Sequence, residues 1–354
     1  MVEGGGLKKY REGDKYGAHR VIRPKGVLPQ AADVVDNDME IYDNEILVDV
    51  KTLNVDSASF TQIKEEAKGD EEKIAEIILK TVRERGKQHN PVTGSGGMFI
   101  GTVSEIGPKL KNIYDVSVGD EIASLVSLSL TPLKIDEIVS VKVDRDQVDV
   151  VGRAILFERT VFLKLPSDMP ASVALAVLDV AGAPAQTARL VKPGDTVFII
   201  GAGGKSGMLV AFEAKKRAGI TGTVIGTGHS DASTKRITDL GLCNHVIKVD
   251  AADPLEVERE VSKLTCGSMA DVTINCVNVT NTEMGSILAT KRDGLIYFFS
   301  MATSFTKAAL GAEGVGSDAT MIIGNGYATG HAEIALEVLR ESPVLMEIFK
   351  DLYG

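Results

Sequence analysis

The chain of 354 residues has only three cysteines, Cys243, Cys266 and Cys276. Their number is odd and their spacing matches no metal ribbon or finger, so a disulfide framework and a cysteine-rich zinc site are both excluded. No apolar run approaches the ~18 residues a bilayer span requires. The opening stretch "MVEGGGLKKYREGDKYG" lacks the apolar core of a secretory signal. A reduced, cytoplasmic protein without membrane contact is therefore expected. Basic excess is missing too: 39 Lys and Arg stand against 49 Asp and Glu, a formal charge of −10. Nucleic acid is thereby disfavoured as a partner, because binding a phosphate backbone needs a basic face. Low-complexity segments and solenoid periods are also absent.

What remains is ordinary globular composition, 44% apolar and 25% charged, at a length that suits two domains. The first half reads as β-rich. "NEILVDVKTLNV" (44–55) alternates apolar and polar positions before "DSAS", read as a polar loop. "GTVSEIG" (101–107) and "VGDEIASLVSLSL" (118–130) are further strand segments punctuated by glycine. Residues 62–88 predict one amphipathic surface helix, with Ile74, Ile77, Ile78 and Val82 at helical spacing. From about residue 170 the rhythm changes. "TVFII" (196–200), "GTVIG" (222–226), "HVIKV" (245–249), "DVTIN" (271–275) and "GLIYFF" (294–299) alternate with helix-compatible stretches. Continuously apolar strands in that rhythm predict a parallel sheet covered on both faces. Residues 331–353 predict one or two closing helices. The expected organisation is a β-rich domain over 1–170, joined by the tail 331–354, and an α/β domain over 171–330.

The stretch "FIIGAGGKSGM" (198–208) stops an apolar run on four glycines. Gly204-Lys205-Ser206 could close a nucleoside-triphosphate loop, but the glycine that must open it is Ile199, inside the strand. A dinucleotide fits better. Gly201 makes the tight turn, Gly203 leaves room for pyrophosphate, and Gly207 lets the next helix approach the sheet. Gly204, Lys205 and Ser206 complete the loop whose amides face the phosphates. An acid that would hold an adenosine ribose is missing from "IGTGHSDASTKR": Gly228 stands there, and Asp231 reads as the next helix cap. Thr227, His229, Ser230, Lys235 and Arg236 line this point. Lys235 and Arg236 read equally as 2′-phosphate ligands or as solvated helix residues, so NAD and NADP both stay open. Asn278 after the fourth strand and Ser300 after the fifth are nicotinamide-side candidates, since ligands bind outside the carboxyl ends of such strands. Asn325 and His331 are candidates for the pyrophosphate, with a helix-start role for His331 equally open. Cys276 reads as a small buried hydrophobe.

A β-rich domain followed by a parallel nucleotide domain resembles the medium-chain dehydrogenases, which pair a GroES-like domain with a Rossmann domain. "GTVSEIG", "VGDEIA" and "LVKPGDTVFIIGAGG" look like segments of that superfamily. More narrowly, "KYGAHRVIRPKGVLPQ", "NVDSASFTQI", "NPVTGSGGM", "LVSLSLTPL", "DVAGAPAQ", "NCVNVTNTEM", "FFSMATSFTKAALGAEGVG" and "GNGYATGHA" resemble the L-erythro-3,5-diaminohexanoate dehydrogenase family of lysine fermentation. The resemblance implies NAD(P)-linked oxidative deamination of the 3-amino group, giving 5-amino-3-oxohexanoate and ammonium, in a homodimer. Zinc-using relatives in the superfamily place cysteines and a histidine where this chain has "NVDSAS", "GSGGMF" and "DVAGAP". Asp56 and Asp179 remain as ligand-type residues there, and two carboxylates without histidine or thiolate suit zinc poorly. No metal is therefore expected.

A substrate with two ammonium groups and one carboxylate calls for acidic side chains. Asp56 and Asp179 are the candidates for catalysis and recognition, with Ser57 beside the first. Asp56 reads equally as a turn residue, and Asp179 almost equally as a buried structural acid. Ser59, Thr93 and Ser95 are candidate substrate contacts, and Lys205, Arg153 and Arg159 candidate partners for the substrate carboxylate. Two other readings stand beside this one. A zinc-independent NADPH quinone or enone reductase would have no use for the two acids, and a nucleotide sensor would bind cofactor without turnover.

Overall fold

The computed structural model describes residues 9–91, 94–324 and 326–354. It divides into two compact units, Met1–Ala171 and Ser172–Gly354.

In the first unit a short pair, β1 (Val21–Arg23) and β2 (Val34–Val35), precedes the main sheet. The latter comprises β3 (Glu45–Asn54), β4 (Met98–Ile106), β5 (Glu121–Ser124), β6 (Leu133–Lys142), β7 (Gln147–Phe157) and β8 (Phe162–Lys164). Its antiparallel order is β6-β7-β3-β4-β5-β8. Where one helix was expected over 62–88 there are two, α1 (Ser57–Glu66) and α2 (Glu71–Arg85). The break has a physical cause: Lys68 and Gly69 both take positive φ, and Asp70 caps the second helix by accepting from the Lys73 amide. The apolar stripe of α2, Ile74, Ile78 and Val82, is buried with Phe60 and Ile63 of α1 against Val48, Val50 and Phe99 of the sheet. "DSAS" is the start of α1 rather than a loop, because Asp56 supplies its N-cap.

The second unit opens with α3 (Ala171–Leu178) and α4 (Gly182–Leu190). It continues β9 (Thr196–Ile200), α5 (Lys205–Ala218), β10 (Thr223–Gly228), α6 (Asp231–Leu240), β11 (His245–Lys248), α7 (Pro254–Leu264), β12 (Ala270–Asn275), α8 (Glu283–Ala289), β13 (Thr290–Phe298), α9 (Phe305–Val315) and β14 (Thr320–Ile323). It closes with α10 (His331–Glu341) and α11 (Pro343–Tyr353). Every strand pair is parallel, in the order β11-β10-β9-β12-β13-β14. The order reverses between β9 and β12, which is the switch point of a Rossmann sheet. The continuous apolar strands behave as expected: Val197 and Ile199 face Val210, Ala211 and Ala214 of α5, while Phe198 and Ile200 face Val257 and Val261 of α7. The sequence reading joined 331–354 to the first domain. Here α10 packs on α4 and α5, so the closing helices belong to the second unit.

Among the described residues no single helix is long and apolar enough to cross a membrane. The consecutive helices α3 and α4 pass that test of length and composition only as a pair bent by 51°. Most of their side chains are buried inside the unit.

Candidate functional site

The glycine loop lies at the carboxyl end of β9. Gly201 has φ 83°, the left-handed region that glycine enters without penalty. A Cβ at Gly207 would overlap the Gly201 carbonyl oxygen and stand 2.7 Å from Ala202 Cα. At Gly203 a Cβ would come within 2.8 Å of the Ser233 carbonyl oxygen. Glycine at these positions is thus a steric requirement. Gly204 is the N-cap of α5 and offers no side-chain cap. The first amides of α5 are therefore left for an anion, where the helix dipole also favours negative charge. This cradle fits the pyrophosphate of a dinucleotide.

The residues expected to contact the cofactor separate into several roles. Thr227 is buried, and its hydroxyl accepts from the Gly201 amide at 3.1 Å; it positions the loop. Arg236 is no solvated helix residue, because it donates from Nη1 to the Gly203 carbonyl at 2.8 Å. Lys235 is solvated, pairing with Asp239 one turn along α6 at 2.6 Å. Ser230, and not Asp231, caps α6, through a reciprocal pair with Ser233. His229 is exposed beside it. Gly228 explains the missing acid: a Cβ there would lie 2.7 Å from Ser233 Oγ and 2.8 Å from the Thr234 amide. Gly228→Asp is accordingly expected to lower the melting temperature and leave the NAD-to-NADP preference unimproved. A stable variant that gains NAD preference would contradict this geometry.

Ser206 is buried at the start of α5. Beside it the Cys276 thiol is pushed up to about 12 by burial, and a hydrogen bond from Ser206 only partly opposes this, so the thiol stays neutral. Asn278 and Ser300 do come together, with Ser300 Oγ donating to Asn278 Oδ1 at 2.9 Å beyond the ends of β12 and β13. Asn325 lies outside the described residues. His331 is buried as the first residue of α10, packs its ring edge-on to Tyr327, and is held below the usual histidine range by burial.

Two expectations change at the break between α3 and α4. Asp179 is not inside a helix but in that break, and its carboxylate takes Lys205 Nζ at 2.7 Å. Both side chains are mostly buried. Each neutralises the other, so Asp179 is not a spare acid for an ammonium, nor Lys205 a spare cation for a carboxylate. Of the other candidate cations, Arg153 lines an open cavity of about 510 Å³ with Asp36, Asp38 and Glu40, and Arg159 is exposed in the turn after β7.

In the first unit three of the expected residues converge. Asp56 Oδ1 accepts from the amides of Ala58 and Ser59 at 3.1 and 3.3 Å. Its Oδ2 accepts from Ser95 Oγ, and the Ser59 and Ser95 hydroxyls lie 2.9 Å apart. The approach depends on Gly97, at φ 95°, whose Cβ would overlap the Asn54 carbonyl oxygen and crowd the Asp56 amide at 2.8 Å. Ser57 does not join: its hydroxyl donates to Asp146 Oδ2 at 2.9 Å. Thr93 lies outside the described residues. The reading of Asp56 as a residue that bonds its own backbone is realised: one oxygen caps α1, while the other accepts from Ser95. Among the described residues no group of three or more His, Cys, Asp or Glu side chains is placed to hold a metal ion.

Sequence reasoning missed the segment Lys87-Gln88-His89-Asn90, which is stitched to the same cluster. Asn90 donates from its amide to the Ser95 carbonyl at 3.0 Å and from Nδ2 to Gln62 Oε1 at 2.8 Å. Lys87 is fully buried on the Pro29 carbonyl at 2.7 Å, and burial holds its amine down to about 8. The only sequence signal was a run of polar residues directly after a helix.

Comparison with known proteins accords with both halves. Residues 19–166 match the L-erythro-3,5-diaminohexanoate dehydrogenase N-terminal domain. The enzyme named L-erythro-3,5-diaminohexanoate dehydrogenase in Acetoanaerobium sticklandii is 59% identical over 342 residues, covering 97% of this chain and 99% of its own length. That of Fusobacterium nucleatum subsp. nucleatum is 57% identical over 343 residues, covering 97% of this chain and 99% of its own. A mycobacterial protein solved in complex with NADPH superposes with a TM-score of 0.57 at 16% identity, covering 90% of this chain and 91% of the other. A Pseudomonas syringae quinone oxidoreductase gives 0.52 at 17% identity, covering 92% and 86%. The structures share the fold, and the sequence identity reaches further: the chain belongs to the L-erythro-3,5-diaminohexanoate dehydrogenase family.

Proposed function

We propose that the protein oxidatively deaminates L-erythro-3,5-diaminohexanoate at its 3-amino group, giving 5-amino-3-oxohexanoate, ammonium and reduced nicotinamide nucleotide, in lysine fermentation in the cytoplasm. The observation that carries the reading is the Asp56–Ser59–Ser95 cluster. A carboxylate already oriented by two amides and a hydroxyl keeps acceptor capacity on Oδ2 for an ammonium group. A neutral enone has no use for that charge, which weighs against the reductase alternative. Bound nicotinamide nucleotide, NAD or NADP, supplies the hydride acceptor. The residues of this chain do the rest. The glycine loop and the amides of α5 hold the pyrophosphate, Arg236 and Thr227 fix the loop, and Asn278 with Ser300 present polar atoms at the carboxyl ends of the strands. Asp56 holds the reacting ammonium and takes part in releasing its proton.

Zinc independence is proposed on the donor set, two carboxylates without histidine or thiolate, of which Asp179 is already paired with Lys205. The test is absorbance at 340 nm with the diamino acid and each nucleotide, with and without chelator. Turnover insensitive to chelator supports the reading. Turnover of a quinone or enone without turnover of the amine moves the reductase reading to the front. Binding without any turnover moves the sensor reading there.

A homodimer is proposed through β14. That strand is at the sheet edge, and near it in sequence α9 exposes Phe305 and Leu310. A sheet edge can pair with a second copy, and exposed apolar side chains favour burial between copies. Sedimentation is expected to give a species of twice the 37.6 kDa chain mass; a 37.6 kDa species alone would end this proposal.

A further inference from the structure

Asp56 stands half-buried at the head of α1, and its two oxygens are held by two different segments. Oδ1 takes the Ala58 and Ser59 amides of the helix at 3.1 and 3.3 Å. Oδ2 takes the hydroxyl of Ser95, in the loop that leads into β4. A carboxylate only accepts, and a hydroxyl carries a single hydrogen. The Ser95 hydrogen is therefore spent on Asp56. In the 2.9 Å contact between the two serine hydroxyls the hydrogen must then come from Ser59. The direction of the chain is fixed: Ser59 donates to Ser95, and Ser95 donates to Asp56. Ser59 thus serves the carboxylate twice, by its amide on Oδ1 and through Ser95 on Oδ2.

Both ends of this chain are seated firmly. Ser59 has no exposed surface, so its hydroxyl is turned to the protein and not to a ligand. On the loop side the Asn90 amide holds the Ser95 carbonyl at 3.0 Å, and the Leu128 amide holds the Gly97 carbonyl at 2.8 Å. A Cβ at Gly96 would overlap the Gln88 carbonyl oxygen and lie 2.6 Å from the Ser129 amide. The loop is packed on backbone from both sides and has little room to shift relative to Asp56. Donation from Ser59 also polarises the Ser95 hydroxyl, which strengthens its charge-assisted bond to the carboxylate.

Resting on the proposed deamination, we propose that Ser95 and Ser59 are positioning residues that act on the substrate only through Asp56, and are not substrate contacts themselves. The two amides anchor Oδ1 but leave the carboxylate free to pivot about that oxygen. Ser95 removes the pivot, and Ser59 holds Ser95 to the task. The direction in which Oδ2 meets the reacting ammonium is thereby set before the substrate arrives, which is the purpose of a supporting shell.

The experiment is a double-mutant series on the whole enzyme, with kcat/KM for the diamino acid read at 340 nm under saturating nucleotide. Ser95→Ala is expected to lower kcat/KM roughly 10-fold, the lower end for one hydrogen bond to a charged group. In an Asp56→Asn background the same change should cost less than about twofold, because its effect passes through the missing charge. Ser59→Ala should cost roughly fivefold alone, the effect of a neutral hydrogen bond, and less than about twofold after Ser95→Ala. Ser95→Thr keeps the hydroxyl and should recover most of the loss, and the KM for nucleotide should stay within about twofold throughout. A thermal melt confirms that each variant is folded at the assay temperature. A Ser95→Ala loss of equal size with and without the Asp56 charge would overturn the inference and make Ser95 a direct substrate contact. Wild-type kcat/KM in Ser95→Ala would overturn it as well, and a Ser59→Ala loss that persists after Ser95→Ala would break the chain. Such results in an enzyme that still turns over the diamino acid defeat this inference alone. A wild type that forms no reduced nucleotide from it defeats the proposed function, and this inference falls with it.

Discussion

Asp56→Asn is expected to lower kcat/KM for the diamino acid by roughly 30- to 150-fold, about 2–3 kcal/mol, while the protein folds and melts nearly as before. The separation follows from the two jobs of one side chain. Asparagine is as good an N-cap as aspartate, so its Oδ1 continues to accept from the Ala58 and Ser59 amides. What disappears is the charge on the oxygen that faces Ser95 and, in the proposed complex, the substrate ammonium. Asp56→Ala removes the cap as well and should add a stability loss of about 1 kcal/mol. Steady-state kinetics with a thermal melt on each variant gives the answer. An asparagine variant with wild-type kcat/KM would reduce Asp56 to a helix cap.

Gly207→Ala is expected to destroy nucleotide binding, by at least ~100-fold in Kd, and to destabilise the second unit by about 1–3 kcal/mol. Intrinsic propensity points the other way, because alanine is favoured over glycine inside a helix by about 1 kcal/mol. Geometry decides between them. The added methyl would overlap the Gly201 carbonyl oxygen and press on Ala202 Cα at 2.7 Å, both of them backbone atoms that no rotamer change can move. The turn must shift, and with it the amides that face the pyrophosphate. Gly204→Ala is the contrast for stability: φ there is −85°, and the nearest atom to its Cβ is the Gly201 carbonyl oxygen at 3.5 Å. Titration with reduced nucleotide and melting of both variants separates the two effects. A Gly207→Ala protein that binds nucleotide normally would remove the steric basis of the cradle.

The Rossmann half was legible because its constraints are local. The strands announce themselves by continuous apolar runs, and the glycines by positions where a Cβ would strike backbone, as at Gly203 and Gly207. The Asp56–Ser95 pairing was not legible: the two were read separately as site candidates, and 39 positions separate them. Other features were hidden by long-range packing. Lys205 read as a candidate cation and Asp179 as either a functional or a structural acid until the fold joined them, and Arg236, read equally as a 2′-phosphate ligand or a solvated residue, is placed by α6 on Gly203. The division of 62–88 into two helices was masked by a charge pattern that continues through the Lys68–Gly69 turn. In the run Lys87–Asn90, Lys87 and Gln88 read as the end of the surface helix, and the burial of Lys87, Gln88 and Asn90 was not legible. That burial is set by Pro29, Gly96 and Leu133, none of them adjacent in sequence.

The measurement that bears most directly on the central claim is the ratio of ammonium released to nucleotide reduced during complete turnover of L-erythro-3,5-diaminohexanoate by the purified enzyme. One ammonium for each reduced nucleotide, with the two forming at rates that fall together in Asp56→Asn, is the predicted result. Reduced nucleotide without ammonium, or neither product from a protein that still binds nucleotide, would contradict an amine dehydrogenase built around Asp56.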